Sequence, residues 1–317
     1  MQKTIRIGTR ESQLAVWQAT LVQNLLACNG YIAELVYIKS DGDIDLKTPL
    51  YEMGVQGIFT RSLDMALLNE SIDIAVHSMK DVPTQLPKGI IQSAVLERAS
   101  YKDILVFKGE LSVVSCQLSA KDSALTTHHS PFTIATSSIR RKAQWLHRFP
   151  NHTIENLRGN LNTRLKKVAD SNWDGAIFAA AGLERINLRP ENSIDLDWML
   201  PAPAQGAIMV VSREDDAFCF EACQQFHHIE TALCTQIERD FLRALLGGCS
   251  TPISALAEIK DNIINFKGNI VAINGSAKVA IEKSVVVSEA NGLGYLAANE
   301  ILKQGGQAIV DIINHAK

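Results

Sequence analysis

The feature that most constrains this chain is an alternation of short apolar runs with amphipathic stretches, which holds to about Asp215 and then stops. Thr4–Gly8 reads as a strand, and Ser12 can cap a helix that carries Leu14, Trp17, Leu21 and Leu25 on one face. Tyr31–Lys39 returns as a strand, a glycine-containing loop spans Asp41–Gln56, and a second helix is predicted near Phe59–Asn69. Ile72–Val76 has the continuous apolar pattern of a buried strand and runs into His77-Ser78-Met79-Lys80-Asp81-Val82-Pro83. Strand, helix and strand joined by short links argue an α/β unit with a largely parallel sheet.

Gly109–Ser130 is polar and aperiodic and reads as a surface insertion. The alternation then resumes. Strands are predicted at Phe132–Ala135, Thr153–Leu157 and Asp174–Ala179, with helices from about Ser138 and over Thr163–Ala169. Pro201-Ala202-Pro203 interrupts the pattern before one more buried strand at Ala207–Val211. Beyond Asp215 the order changes to a long amphipathic helix (Ala232, Leu233, Ile237, Phe241, Leu245), then strands near Ile253–Ile259, Ile263–Val271 and Val279–Val287. A closing helix starts near Tyr295. Consecutive strands turning at Asp261-Asn262 suggest a small antiparallel α+β domain. A length of 317 residues accommodates this third unit.

The net charge is −3, which gives no global field toward nucleic acid or an anionic membrane. It conceals a local asymmetry. Ile134–Lys167 holds eight basic residues and one acid, so the rest of the chain carries −10. Thr136-Ser137-Ser138 follows a strand and opens a helix, where hydroxyls and free backbone N–H groups make an anion site. Arg140 and Arg141 fall in that helix's first turn, a position unfavourable to cations unless an anion sits there. Leu157-Arg158-Gly159-Asn160 ends the next strand, with Arg164 one turn into the following helix. Ligands of open α/β sheets bind at such carboxyl ends, and arginine forks match carboxylates bidentately. A solvated basic face accounts as well for any one of these arginines; a small polyanionic ligand better accounts for the set. A long polyanion fits poorly, because regular aromatic interleaving is missing and the remainder is acidic.

Pro83 restricts Val82 to extended geometry and fixes the loop that carries Lys80 and Asp81. A carboxylate held there could stabilise a developing cation, although an Asp bonded to its own turn is the commoner use. Leu246-Gly247-Gly248-Cys249 ends the long helix and presents a thiol at an unhindered turn, a candidate attachment point beside the commoner role of an inert core cysteine. The six cysteines lack zinc-finger spacing and an export signal, so they are read as reduced thiols of a cytoplasmic protein with no metal. No apolar run approaches the ~18–20 residues of a membrane span.

Taken together, these segments resemble the porphobilinogen deaminase (hydroxymethylbilane synthase) family over nearly the whole chain. The shared strings are Ile7-Gly8-Thr9-Arg10-Glu11-Ser12, Leu14–Ala19, Asp73–Pro83, Thr136–Arg141, Leu157–Asn160, Ala181–Arg185, Pro201–Ala207 and Gly247-Gly248-Cys249, all in family order. The resemblance implies two α/β domains built like type II periplasmic binding proteins, residues 1–98 with 202–217 and residues 99–201, and a small α+β domain, residues 218–317. It implies head-to-tail condensation of four porphobilinogen molecules with loss of ammonia, on a dipyrromethane primer held by a thioether to Cys249. Asp81 matches the catalytic carboxylate. Arg10, Ser12, Gln18, Lys80, Thr136, Ser137, Ser138, Arg140, Arg141, Arg158, Arg164 and Arg185 match positions that bind cofactor or substrate. Gln205 and Gly206 match the hinge lining, and Phe59 an aromatic near the cofactor rings. The expected protein is a cytoplasmic monomer that passes hydroxymethylbilane to the next tetrapyrrole-pathway enzyme and has no nucleic-acid or membrane partner. The chain departs from the family pattern in a less basic Asp41–Gln56 loop, and in Leu246, Asn162 and Val211, where Glu, Gly and an acid are usual. The competing expectation is a degenerate paralogue or a non-catalytic anion binder with the same cleft, for which Cys249 has no use.

Overall fold

The computed structural model describes residues 3–39, 60–108, 131–245 and 251–315. The loop Asp41–Gln56, the insertion Gly109–Ser130, Phe59, and the Leu246–Cys249 turn lie outside the described residues.

The first sheet contains β1 (Ile5–Thr9), β2 (Ala33–Tyr37), β3 (Ile74–Ser78), β4 (Ile90–Val95) and β10 (Ile208–Arg213), in the order β2-β1-β3-β10-β4. β1 runs parallel to β2 and β3, whereas β10 is antiparallel to both β3 and β4. The second sheet contains β5 (Asp103–Phe107), β6 (Thr133–Ala135), β7 (Thr153–Glu155), β8 (Gly175–Ala179) and β9 (Ser193–Asp195), in the order β7-β6-β8-β5-β9. Here β5 is the reversed strand. The two sheets therefore share one topology, a parallel trio followed by a reversed strand and a last strand. In each, the reversed strand is the one the chain enters directly after crossing from the other sheet.

The two crossing segments run side by side. Ala99 N donates to Gly206 O at 3.2 Å, Arg98 Nε to Gln205 O at 2.8 Å, and Gln205 Nε2 to Tyr101 O at 2.7 Å. Gly206 has φ +89°, and a Cβ there would lie 2.7 Å from the Ala99 and Ser100 carbonyl oxygens, so this closeness requires glycine.

Helices cover both faces of each α/β sheet. α1 (Gln13–Cys28) starts where Ser12 Oγ accepts from Ala15 N at 3.4 Å, and it buries Ala15, Gln18, Ala19, Val22 and Leu26 at helical spacing. α2 (Arg61–Leu68) packs Leu63 and Leu67 on the opposite face. On the second sheet lie α3 (Ile139–Arg148), α4 (Leu161–Asp170) and the short α5 (Ala180–Arg185). α6 (Ala217–Gln224), which the periodicity did not reveal, buries Cys219 and Cys223 against the first sheet.

The third sheet is the meander β11 (Ile253–Lys260), β12 (Ile263–Val271) and β13 (Lys278–Val286). Asp261 and Asn262 make its first turn with φ of 52° and 60°, the left-handed pair of a tight hairpin. One face is covered by α7 (Ile229–Ala244) and α8 (Leu293–Ile301), with Phe241 edge-on to Phe266 at 5.2 Å. A kinked turn at Leu302–Gly306 leads into the closing α9 (Gln307–His315).

α7 also fastens the three sheets together. Glu238 is fully buried and pairs with Arg98 Nη1 at 2.6 Å, while its oxygens accept from Ala204 N at 2.6 Å and Ala257 N at 2.8 Å. α3 docks on the third sheet through Gln144 Nε2, which donates to Ser254 Oγ at 3.0 Å, and through His147 Nδ1, 2.8 Å from Gly275 O. Among the described residues, no helix is long and apolar enough to cross a membrane.

Candidate active site at the carboxyl ends of two sheets

Strand ends of both α/β sheets converge beside the crossing segments. On the first sheet, Arg10 and Ser12 follow β1, and β3 runs through His77 and Ser78 into a 3-10 turn, Met79–Asp81. A cleft is lined there by Arg10, Ser12, Gln18, His77, Ser78 and Asp81, with Leu14, Thr60 and Leu63. Gln18 Nε2 donates to Ser78 Oγ at 2.9 Å. The 3-10 turn is gripped from α7: Arg239 is buried and donates to Val82 O at 3.0 Å and Pro83 O at 2.6 Å. His77 is buried with Nε2 unpartnered; burial, with Arg10 nearby, pushes its pKa down to about 3, so the ring is neutral.

On the second sheet, Thr136, Ser137 and Ser138 follow β6. Thr136 Oγ1 accepts from Ser138 N at 3.2 Å, Ser137 Oγ donates to Leu157 O, and Ser138 is the N-cap of α3 without a side-chain cap bond. Arg140 and Arg141 are in the first turn of α3, and the anion they require is internal. Asp103, the first residue of β5, is fully buried; its Oδ2 lies 2.7 Å from Arg140 Nη1, and its Oδ1 accepts from Arg141 Nε at 3.0 Å and Nη2 at 2.8 Å. Burial pushes the Asp103 carboxyl up, but the two guanidiniums outweigh it and hold it well below the usual carboxylate range. Arg140 also donates to Leu200 O at 2.8 Å and Arg141 to Ile177 O at 3.0 Å.

Gln205 joins the two halves. Its Nε2 donates to Asp103 Oδ1 at 2.9 Å, while its Oε1 accepts from Arg140 Nη2 and from Lys80 Nζ, each at 3.4 Å. Burial brings Lys80 down to about 8; Asp81 and Asp103 oppose that shift, and Arg141 and Arg140 add to it. Arg158 is buried after β7. Arg164, on α4, donates through Nε to Gly159 O at 2.6 Å. Burial, then the like charges of Arg141 and Arg158, push Arg164 down to about 10, against the opposing charge of Asp81. Arg185 ends α5 and donates to Gly206 O at 2.7 Å.

The arrangement is thus a carboxylate, Asp81, facing a crowd of buried and half-buried cations drawn from two sheets, a geometry suited to a small ligand with several carboxylates. Phe59 and Cys249 lie outside the described residues. Sequence reasoning missed Asp103, Glu238 and Arg239. Glu238 is in phase with Cys234 and Phe241 on the apolar stripe of α7, so its burial was legible. Asp103 begins an ordinary apolar run and carried no such signal.

The profile described as "Porphobilinogen deaminase, dipyromethane cofactor binding domain" matches residues 5–221, and "Porphobilinogen deaminase, C-terminal domain" matches residues 232–303. The porphobilinogen deaminase of Chlorobium phaeobacteroides (strain BS1) is 36% identical over 318 residues, covering 98% of each chain. That of Syntrophotalea carbinolica is 37% identical over 310 residues, covering 96% of this chain and 95% of its own. The chain belongs to the porphobilinogen deaminase family. Among solved structures, the methionine-binding protein MetQ aligns with a TM-score of 0.43 at 14% identity, over 72% of this chain and 92% of its own. In this porphobilinogen deaminase family member the segment bearing Asp81 is held from the third sheet's helix, so the C-terminal region contributes to the geometry of the cleft as well as carrying Cys249.

Proposed function

We propose that this chain joins four porphobilinogen molecules head to tail with loss of ammonia and releases hydroxymethylbilane by hydrolysis, with Asp81 as the catalytic carboxylate and Cys249 as the attachment point of a dipyrromethane primer. The observation that carries this reading is the family match around a cleft in which Asp81 is the carboxylate opposing the like-charge crowding at Arg164. The residues suit the primer. Arg141 and Arg158 each repel Arg164, and the acetate and propionate groups of an oligopyrrole would relieve that repulsion. In this reading Arg10, Ser12, Gln18, Lys80, the Thr136–Ser138 turn, Arg140, Arg141, Arg158, Arg164, Arg185, Gln205 and Gly206 bind cofactor or substrate, with Arg140 and Arg141 already committed in part to Asp103. The division into 1–98 with 202–217, 99–201 and 218–317 draws support at its first two joins from the paired crossing segments, whereas the packing of α6 on the first sheet favours a last boundary beyond Gln224.

Bound, the dipyrromethane supplies the pyrrole carbon to which the first substrate is joined. At each step the aminomethyl C–N bond of porphobilinogen breaks and nitrogen leaves as ammonia, so positive charge spreads from the methylene over the substrate's ring. Asp81, fixed by the 3-10 turn and by Arg239, holds a negative charge ready for that cation without reorganising. The acceptor's pyrrole carbon forms the new C–C bond and loses its proton. After four additions the methylene of the first-added unit would part from the primer, whose ring carbon would regain a proton, and take a hydroxyl from water; the hydroxymethylbilane so released would pass to the next enzyme of tetrapyrrole synthesis.

Intact mass of the purified chain tests the attachment: an increment matching a dipyrromethane is expected, absent in Cys249→Ser. An unmodified chain from a host that makes porphobilinogen would favour a non-catalytic anion binder. Asp81→Ala should fold and lose about 10²-fold or more in turnover, the scale of removing one preorganised stabiliser. Near-normal turnover would remove Asp81 from the mechanism.

A further inference from the structure

The exposed face of α1 reaches across to the helices of the second sheet. Asn162 Nδ2 donates to Gln13 Oε1 at 3.0 Å. A Cβ on Gly182 would lie 3.4 Å from Leu161 Cδ1 and 3.7 Å from Leu14 Cδ2, so Leu14 packs at the α4–α5 corner. One turn on, the Arg185 guanidinium carbon lies 5.7 Å from the centre of the Trp17 ring. Trp17 is 37% exposed, which is unusual for the bulkiest apolar side chain on a helix whose other face supplies the core.

Arg185 is half-buried, and burial pushes it down to about 10; Glu184 opposes that shift. Among the described residues its one hydrogen bond runs from Nη2 to Gly206 O at 2.7 Å. One edge of the guanidinium is therefore held by the crossing segment and the group lies over the indole, while Nε and Nη1 keep their donors. An arginine restrained on two sides loses less rotamer entropy when it grips a carboxylate.

We propose that Trp17 is a positioning residue: reaching from α1 to the end of α5, its indole holds Arg185 in the orientation that receives a carboxylate of porphobilinogen or of the growing chain. This rests on the proposed function and adds a residue from the first sheet's own helix to the affinity of the second sheet's arginine. A residue acting only through Arg185 changes how tightly substrate is held and leaves the bond-breaking step alone.

The test is a steady-state series on the full-length enzyme with porphobilinogen. In Trp17→Leu, KM should rise about three- to tenfold, the scale of one cation–π contact, with kcat within about twofold of wild type. Trp17→Phe should recover most of the loss, since an aromatic face is restored. Arg185→Leu should raise KM further, and adding Trp17→Leu to it should change nothing more, because the two act as one unit. Independent, multiplying effects of the two substitutions, or an unchanged KM in Trp17→Leu, would overturn the proposal. So would a fall in kcat that Trp17→Phe does not repair. Calorimetric Kd values for porphobilinogen separate this from the proposed function. A wild type that binds without turnover sinks the proposed function, and equal Kd for wild type and Trp17→Leu sinks the role of Trp17.

Discussion

Replacing Asp103 by Asn removes one negative charge and almost no volume, at the point where two guanidiniums meet the protein's interior. The carboxylate is fully buried and lies 2.7 Å from Arg140 and 2.8 Å from Arg141. The amide keeps one acceptor and turns an NH2 toward groups that are themselves donors, so two cations remain in a low-dielectric site without a counter-charge. Breaking a buried pair from one side costs about 3–5 kcal/mol, a large fraction of the ~5–15 kcal/mol that holds a protein folded. The second sheet's unit should unfold at correspondingly lower denaturant, with the buried Trp145 and its neighbour Trp198 as fluorescent reporters of that unit. Asp197→Asn is the control. Its partner Lys102 is also 2.8 Å away, but the Asp197 side chain is 75% exposed, so no measurable change is expected. The linkage has a definite sign. The folded pKa of Asp103 is depressed, so its contribution is complete above the ordinary carboxylate value of about 4 and is lost as pH falls through the lower folded value. The variant should therefore lose less stability than wild type on acidification below about pH 4. A loss under about 1 kcal/mol at neutral pH, or identical acid profiles, would refute the claim that this carboxylate is the anion Arg140 and Arg141 require.

Two further outcomes follow from the same site. Burial lowers Lys80 to about 8, so its charge is present below that pH and disappears above it; KM for porphobilinogen should climb between about pH 8 and 9 in wild type and stay flat in Lys80→Arg, measured across a buffered KM profile. Arg141→Leu and Arg164→Leu should separate by assay. The first strips a partner from Asp103 and lowers the denaturation midpoint, whereas the second relieves like-charge repulsion in the free protein and chiefly raises KM; a matching pattern in both would show that the two arginines do the same work.

Periodicity made β1, α1 and the third-sheet meander legible, because each buries one face and turns where its residues demand: Ser12 caps α1, and Asp261-Asn262 takes the left-handed turn. The direction of β5 and β10 was not legible. An apolar run such as Ile104–Phe107 has the same composition whether its neighbours run with it or against it, and only the crossing segments decide. The site shows the same division. Helix electrostatics demanded an anion beside Arg140 and Arg141, and an anion is there, but local sequence cannot distinguish a ligand's carboxylate from one supplied 38 residues earlier by the chain itself. The internal answer shifts the argument about affinity. Arg140 and Arg141 spend donors on Asp103, Leu200 and Ile177, which fixes the α3 N-terminus against the crossing segment before any ligand arrives. In the proposed function, Arg10, Lys80, Arg158, Arg164 and Arg185 are the further cations that would meet an acidic ligand, on both sides of Gln205. In that reading a ligand bridging them would link the two sheets, and a chain that gains carboxylates with each addition would change that balance at every step.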